Sequence, residues 1–337
     1  MKNWAKGCKL CKKGAKLVLF VSGTCDAGCY YCPLSENRRK DKPYANERPI
    51  PNDSDLFLEA DRMDARGASI TGGEPLLSME KTTHYIKILK QQYNNFHIHL
   101  YTYGTHINTS NLNDLESAGL DELRLHSGFQ NLGLARKYSF DLGVEIPIIP
   151  GENQLSNYEV LFKQLENKID FLNLNELEFS PTNTQELLNR GFENKNDTSH
   201  AALGSEQLAK KLIPIADQYN LNPHYCSSQF KDATQFRNRL IRTANNIHKP
   251  YEKVTRDGLL LKGAITPPRN TKLPAFRKKL LRQFSLSPSY LEIDPEKRRL
   301  ETSERIARRI AKNSKYKVAI IQEFPTSDRY EPEVEPI

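Results

Sequence analysis

No run of about 18 apolar residues occurs in this 337-residue sequence, so a membrane-spanning helix is not expected. The N-terminus is not expected to be a secretory leader either. The first 23 residues are basic and then apolar, but cysteines interrupt the basic part and the run KLVLFV is too short for the apolar core of a leader. The reading is therefore cytoplasmic. There is no repeat of solenoid period and no long low-complexity linker, which argues against an array or a tethered chain. Cysteine is scarce, six in all, and clustered as C-x2-C at Cys8 and Cys11 and C-x3-C-x2-C at Cys25, Cys29 and Cys32, with Cys226 alone. In a chain this long such clustering suits metal binding better than disulfides.

Charge is present but uneven. Residues 227–318 hold 23 Lys and Arg against 8 Asp and Glu, while the last 19 residues carry one Arg and five acids. The formal net charge of +8 thus comes from one segment. That asymmetry points to a polyanionic partner, tRNA or another RNA gripped by residues 230–317, or else to a solvated basic surface. Arg305, Arg308, Arg309 and Lys312 recur at i, i+3, i+4 and i+7, one face of a helix. The competing expectation is that these arginines pair with the acidic tail from Glu323 to Glu335.

Short β-branched runs at 16–23, 68–73, 96–104, 122–128, 144–151 and 171–180 alternate with helix-like stretches such as 78–93 and 157–168. Strands alternating with helices imply βαβ units and a parallel sheet. Six such units predict a partial (β/α)6 TIM-type barrel over 16–205. An N-terminal CxxC segment (1–15) precedes it and a basic α+β region (206–337) follows. In such folds the chemistry sits in the loops after the strand ends. The cysteine triplet follows the first strand and TGGEP (71–75) follows the second, so both motifs share one rim.

Three thiolates with no fourth nearby would hold three irons of a [4Fe–4S] cluster and leave the last iron open to an exchangeable ligand. This pattern resembles the radical S-adenosylmethionine (SAM) superfamily, in which SAM chelates the open iron. Tyr31, the aromatic residue before the third cysteine, is usual there and packs near the adenine. Gly72-Gly73-Glu74 matches the motif that contacts the SAM amino group in relatives. Thr102 opens TYGTH, which is similar to a TNGT segment, and EIPIIPGEN (145–153) looks like the fifth-strand segment of pyruvate formate-lyase activating enzymes. The whole chain resembles a mainly archaeal radical SAM family described as related to those enzymes. The resemblance implies a [4Fe–4S] cluster and SAM as cofactors, a flavodoxin- or ferredoxin-type electron donor, and a 5′-deoxyadenosyl radical that abstracts hydrogen from a substrate. The residues themselves explain part of this. Two glycines let backbone approach a ligand closely, and Glu74 offers a carboxylate to an ammonium. His126, near the end of the fourth strand, is expected to face SAM or substrate.

Cys8, Cys11, Cys226 and His224 are read as a Cys3His zinc site, as ligands of a second cluster, or as unconnected buried residues. Arg38, Arg39, Lys40, Lys42 and Arg48 follow the cysteine loop and offer charge to an anion, or simply line a solvated loop. Alternation along the sixth strand points Asn173 and Asn175 one way and Glu176 and Glu178 the other. Three classes of substrate stay open: RNA, a protein (including glycyl-radical activation) and a small molecule. A structural iron–sulfur or zinc module is the non-enzymatic alternative. No cobalamin, RNA-recognition or KH motif is evident.

Overall fold

The computed structural model describes residues 4–151 and 154–337. Two compact units form, Met1–Asp61 with Ala65–Phe236, and Arg62–Asp64 with Arg237–Ile337. No helix among the described residues is long and apolar enough to cross a membrane.

The first unit holds β1 (Lys16–Phe20), the short β2 (Tyr44–Ala45) and β3 (Arg48–Pro49), β4 (Gly67–Thr71), β5 (His97–Thr102), β6 (Glu122–Leu125), β7 (Asp141–Ile148), β8 (Phe171–Glu176) and β9 (Pro223–Cys226). The sheet order is β3-β2-β1-β4-β5-β6-β7-β8-β9. From β1 to β9 every pairing along that path is parallel, and β2 joins β1 antiparallel. Sequential parallel order is that of a singly wound partial barrel, open between β9 and the β2–β3 hairpin. The connecting helices are amphipathic. Helix Met79–Gln92 buries Thr82, Tyr85, Ile86 and Leu89 at i, i+3, i+4 and i+7. Helix Thr109–Ala118 starts at Asn108, whose side chain accepts from the Asn111 amide at 2.9 Å, and stops at Gly119 with φ 97°.

Two expectations change here. The barrel was expected to end at 205 with six strands. Pro223–Cys226 pairs in parallel with β8 and adds a seventh, so the helix Ser205–Gln218 is a barrel helix and the unit runs to Phe236. Four residues are too short a run to stand out in sequence. The N-terminal C-x2-C was expected as a metal-binding turn. It lies instead in a helix, Lys6–Lys12, at the N-terminal end of the strands, where the Gly7 amide donates to Glu122 Oε2 at 3.1 Å.

The second unit holds β10 (Lys253–Val254), β11 (Leu260–Thr266), β12 (Leu291–Asp294), β13 (Arg299–Thr302), β14 (Lys317–Glu323) and β15 (Glu333–Pro336), ordered β12-β13-β11-β14-β15 with β10 on β11. The β10–β11 hairpin turns at Asp257-Gly258 as expected. The tail is not frayed: β15 is an edge strand on β14. Helices Leu273–Gln283 and Glu304–Lys312 bury Phe276, Leu280, Ala307 and Ile310 against Ile265, Leu300, Val318 and Ile320 of the sheet.

Candidate active site

A cavity of about 710 Å³ opens at the C-terminal ends of the strands of the first unit. Its wall includes Cys25, Cys29, Cys32, Tyr31, Gly72, Gly73, Thr102, Tyr103, His126, Glu145 and Asn175. Both rim motifs and the fourth- and fifth-strand residues thus meet around one space, as the βα-loop argument requires.

The cysteine loop is built for access. The three thiols are free, Cys25 is exposed and the other two are half-buried. The Ala27 amide donates to Cys25 Sγ at 3.5 Å, and the Cys32 amide closes a turn on Cys29 O at 3.1 Å. Burial, followed by the neighbouring thiols and tempered by Tyr31, pushes the Cys29 thiol up. Three thiols in one open loop, each free to take its own iron, fit a cluster with an open position.

Gly72 and Gly73 line the cavity and also pack against the cysteine loop. A Cβ on Gly73 would lie 2.3 Å from Thr24 O and 2.7 Å from Cys25 Cβ, and one on Gly72 would lie 2.4 Å from Ser22 O. The Gly73 amide donates to Ser22 O and the Glu74 amide to Thr24 O, both at 2.8 Å. The glycines therefore let the end of β4 lie directly against the start of the cysteine loop, with no room for any side chain. They fix the loop in place.

Glu74 is fully buried and is not among the residues of the cavity wall. Its carboxylate accepts from the Leu76 amide at 2.9 Å, Thr102 Oγ1 at 2.8 Å and the Tyr103 amide at 2.6 Å. Burial raises its pKa and these three bonds lower it. The carboxylate ties the β4 end to the β5 end. Thr102, nearly buried, passes the link on by accepting from the Gly104 amide at 3.0 Å.

Tyr31 and His126 lie together as expected. The Tyr31 hydroxyl and His126 Nε2 are 2.8 Å apart, and His126 Nδ1 is 2.9 Å from Glu145 O. Burial lowers the His126 pKa, so the ring is neutral. Asn183, which sequence reasoning missed, donates to Tyr31 O at 2.9 Å and anchors the far side of the loop. Tyr30 and Tyr31 also pack on Leu177, Phe179, Leu187 and Ala202.

Below the cavity the inward residues of four strands join in one hydrogen-bonded layer. Arg124 Nη1 donates to Tyr101 Oη at 3.0 Å and Glu145 Oε2 at 2.7 Å, and Arg124 Nε donates to Glu122 Oε1 at 2.6 Å. Asn173 Nδ2 reaches Glu145 Oε2 and Asn175 Nδ2 reaches Glu145 Oε1, each at 2.8 Å. The alternation put Asn173 and Asn175 on one face, and the structure makes that face the inward one. Glu178 instead pairs with Lys231 at 2.9 Å on the cavity wall. Lys231 opens a π-helical turn, Lys231–Phe236, after β9; the sequence placed it on a basic helix offered to a polyanion, not on the cavity wall.

Cys8, Cys11, Cys226 and His224 are not gathered as a metal site: among the described residues no group of three or more His, Cys, Asp or Glu side chains is, and that holds for the rim cysteines as well. Cys8 Sγ accepts from Asn173 Nδ2 at 3.3 Å and Arg124 Nη2 at 3.4 Å. Burial raises its pKa, and pushes that of Cys226 up to about 12. His224 stacks on Trp4 with ring centroids 4.0 Å apart, and burial lowers its pKa to about 4. These are neutral side chains of the barrel interior. Of the basic residues after the loop, Arg39 reaches the cavity wall, Arg38 lies 3.6 Å over the Tyr44 ring and Arg48 pairs with Glu59. Glu152 and Asn153 lie outside the described residues.

Comparisons with known proteins give the family. The Radical SAM superfamily model matches residues 19–126. A Methanocaldococcus jannaschii protein, provisionally named a glycyl-radical enzyme activating enzyme, is 46% identical over 275 residues, 77% of this chain and 72% of that protein. The chain belongs to the radical SAM superfamily, and it is a radical SAM enzyme. Members of that superfamily use a [4Fe–4S] cluster and SAM. Among solved structures, Streptococcus suis SuiB bound to S-adenosylmethionine is similar at 16% identity and a TM-score of 0.46, over 65% of this chain and 53% of that one. This chain thus spans about half of SuiB. Native anSMEcpe with bound AdoMet is similar at 18% identity and 0.39, over 73% of each chain.

Proposed function

We propose that Cys25, Cys29 and Cys32 hold three irons of the cluster and that SAM lies in the cavity beside Gly72, Gly73, Thr102, Tyr31 and His126. When bound, cluster and SAM supply a 5′-deoxyadenosyl radical, which takes a hydrogen atom from the substrate. The protein's own part is placement. Glu74 and Gly73 hold the loop ends together, Tyr31 and His126 brace each other, and the hydrogen-bonded layer closes the cavity floor against water. The observation that carries this reading is the seating of Gly73 against Thr24 and Cys25, which puts both rim motifs on one wall. A flavodoxin- or ferredoxin-type protein is proposed as the electron donor, in the cytoplasm. For the substrate, the name of the 46% identical relative supports a polypeptide. Anaerobic protein with SAM and a chemical reductant should release 5′-deoxyadenosine. No release from cluster-loaded protein rejects the reading.

A second reading, RNA as substrate, is favoured by one surface. On helices Leu273–Gln283 and Glu304–Lys312, Lys278, Lys279, Arg282, Arg305, Arg308, Arg309 and Lys312 are exposed, and the one acid, Glu304, pairs with Arg308 at 2.9 Å. The tail does not neutralise them. Glu323 and Glu331 pair with Lys297, and Glu333 with Gln322. Binding to total tRNA should fall steeply between about 50 and 200 mM salt, with a log–log slope of about −0.7 to −0.9 per phosphate neutralised. No tRNA binding at low salt removes this reading and leaves the polypeptide.

A further inference from the structure

The cysteine loop is held from both ends, by different parts of the chain. At its start, the Gly73 and Glu74 amides donate to Ser22 O and Thr24 O. At its end, the holder is the segment 177–204 between β8 and the helix Ser205–Gln218, which lies beyond the residues 19–126 matched by the superfamily model. Asn183 is the knot in that segment. It is 2% exposed. Its Oδ1 accepts from the Ser180 amide at 2.7 Å, and its Nδ2 donates to Tyr31 O at 2.9 Å and Glu178 O at 3.0 Å. A backbone amide only donates and a carbonyl only accepts, so these partners fix which end of the side chain is oxygen and use both hydrogens of the other. Around the knot, Phe192 stacks on Tyr30 with the ring planes 4° apart, and Arg190 lies 4.1 Å over the same ring. Tyr30 and Tyr31 pack on the apolar residues of the segment, Leu177, Phe179, Leu187 and Ala202.

The bond to Tyr31 O acts on the peptide to which that oxygen belongs. Tyr31 O and the Cys32 amide lie in one rigid plane. Asn183 holds the oxygen, and Cys29 O holds the amide at 3.1 Å. A plane pinned at both edges sets the Cys32 backbone relative to Cys29 and leaves the cysteine side-chain torsions to adjust. The middle of the loop has no such support: Gly28 sits at φ 63°, and a Cβ there would meet nothing within 4 Å.

We infer that Asn183 is a positioning residue for the cluster, setting Cys32 relative to Cys29 through the Tyr31–Cys32 peptide, and that the segment 177–204 belongs to the cluster site. This rests on the reading that Cys25, Cys29 and Cys32 hold the irons. Removing a group that orients a metal ligand typically costs about 10–100-fold in metal affinity or activity.

The experiment uses full-length protein. Asn183→Asp keeps the shape and the acceptor for Ser180 but turns an oxygen toward two carbonyls, and Asn183→Ala removes both donors. Each variant should load iron and then release it to a chelator at least about tenfold faster than the wild type. The electron paramagnetic resonance signal of the reduced cluster should also change, with and without SAM. A role in folding alone would lower the unfolding midpoint and leave both readouts of the folded protein as they are. Iron release as slow as that of the wild type, or an unaltered signal, in a variant that folds overturns the inference. Where neither variant folds, the wild type decides. Hydrogen exchange, compared between iron-free and loaded protein, should slow in peptides spanning 178–190 as well as in those spanning 24–33. Unchanged exchange over 178–190 beside slowed exchange over 24–33 overturns the inference alone. A wild type that takes up no iron rejects the underlying reading.

Discussion

Both units bury charge, and they do it to opposite ends. In the second unit Lys262, only 1% exposed, is bonded by Glu252 at 3.2 Å, Glu301 at 3.0 Å and Glu323 at 2.9 Å. Register puts Lys262, Glu301 and Glu323 on the sheet face opposite the apolar core. Arg299 and Arg329 add pairs to Glu301 at 2.7 and 3.1 Å, and Tyr251 donates to Glu301 at 3.2 Å. Lys262, the three glutamates and both arginines are all partnered within that network. In the first unit the layer around Arg124 is buried too, yet Glu145 and Asn175 line a cavity. A closed network specifies a fold, and one that borders a cavity also shapes what can enter it.

The sharpest test of that difference lies at the rim. Replacing Cys25, Cys29 and Cys32 together by Ala should remove essentially all of the expected four or so irons and all 5′-deoxyadenosine formation, read by iron analysis and chromatography, while the second unit's unfolding is unmoved. Iron that survives the triple change would reject the assignment. Next, Lys262→Met removes the buried cation that three glutamates share and should cost about 3–5 kcal/mol in denaturant unfolding. A cost under about 1 kcal/mol would mean that the network is not closed. Glu74→Gln comes third. It keeps most of the shape but turns one acceptor into a donor facing an N–H, so about 1–3 kcal/mol of stability should go. The cluster should still load, and SAM should bind more weakly because Thr102 and Tyr103 shift. SAM affinity equal to the wild type would confine Glu74 to stability.

A pH test probes the base of the first unit. Lys16 Nζ sits 2.8 Å from Ala68 O and 2.6 Å from His97 O, and burial lowers its pKa to about 7. The folded state then binds fewer protons than the unfolded state between about 7 and the ordinary lysine value of 10.5. Stability from this group should rise with pH across that window, by up to about 1.4 kcal/mol per unit, and be flat below it. Lys16→Met should abolish that rise; an unchanged slope in the variant assigns it to another group. The smallest effect is on the surface. Arg305→Glu with Arg309→Glu should move stability by about 0.5 kcal/mol or less, yet weaken tRNA binding if that surface meets RNA. Deleting the acidic tail is not a clean test, because it removes β15 and Glu331, a partner of Lys297 and Arg299.

Sequence alone determined the rim. Cysteine spacing and the Gly-Gly-Glu after the second strand are local chemistry, and strand–helix alternation needs only period and propensity to place them on one edge. That Asn173 and Asn175 share a face followed from the two-residue period of a strand; that it is the inward face did not. Tertiary structure decided what pairwise contact decides. Whether Glu74 faces ligand or backbone depends on where β5 ends relative to β4. Whether Cys8, Cys11 and Cys226 share a metal depends on Arg124 and Asn173, more than a hundred residues away in the chain, reaching Cys8 first. The stretch at 222–228 read as a short strand or a turn, and β8 decided between them by offering an edge to pair with. The unpaired Asn175 Oδ1, buried within the layer, could not be read at all, since a missing partner exists only once every neighbour has been placed.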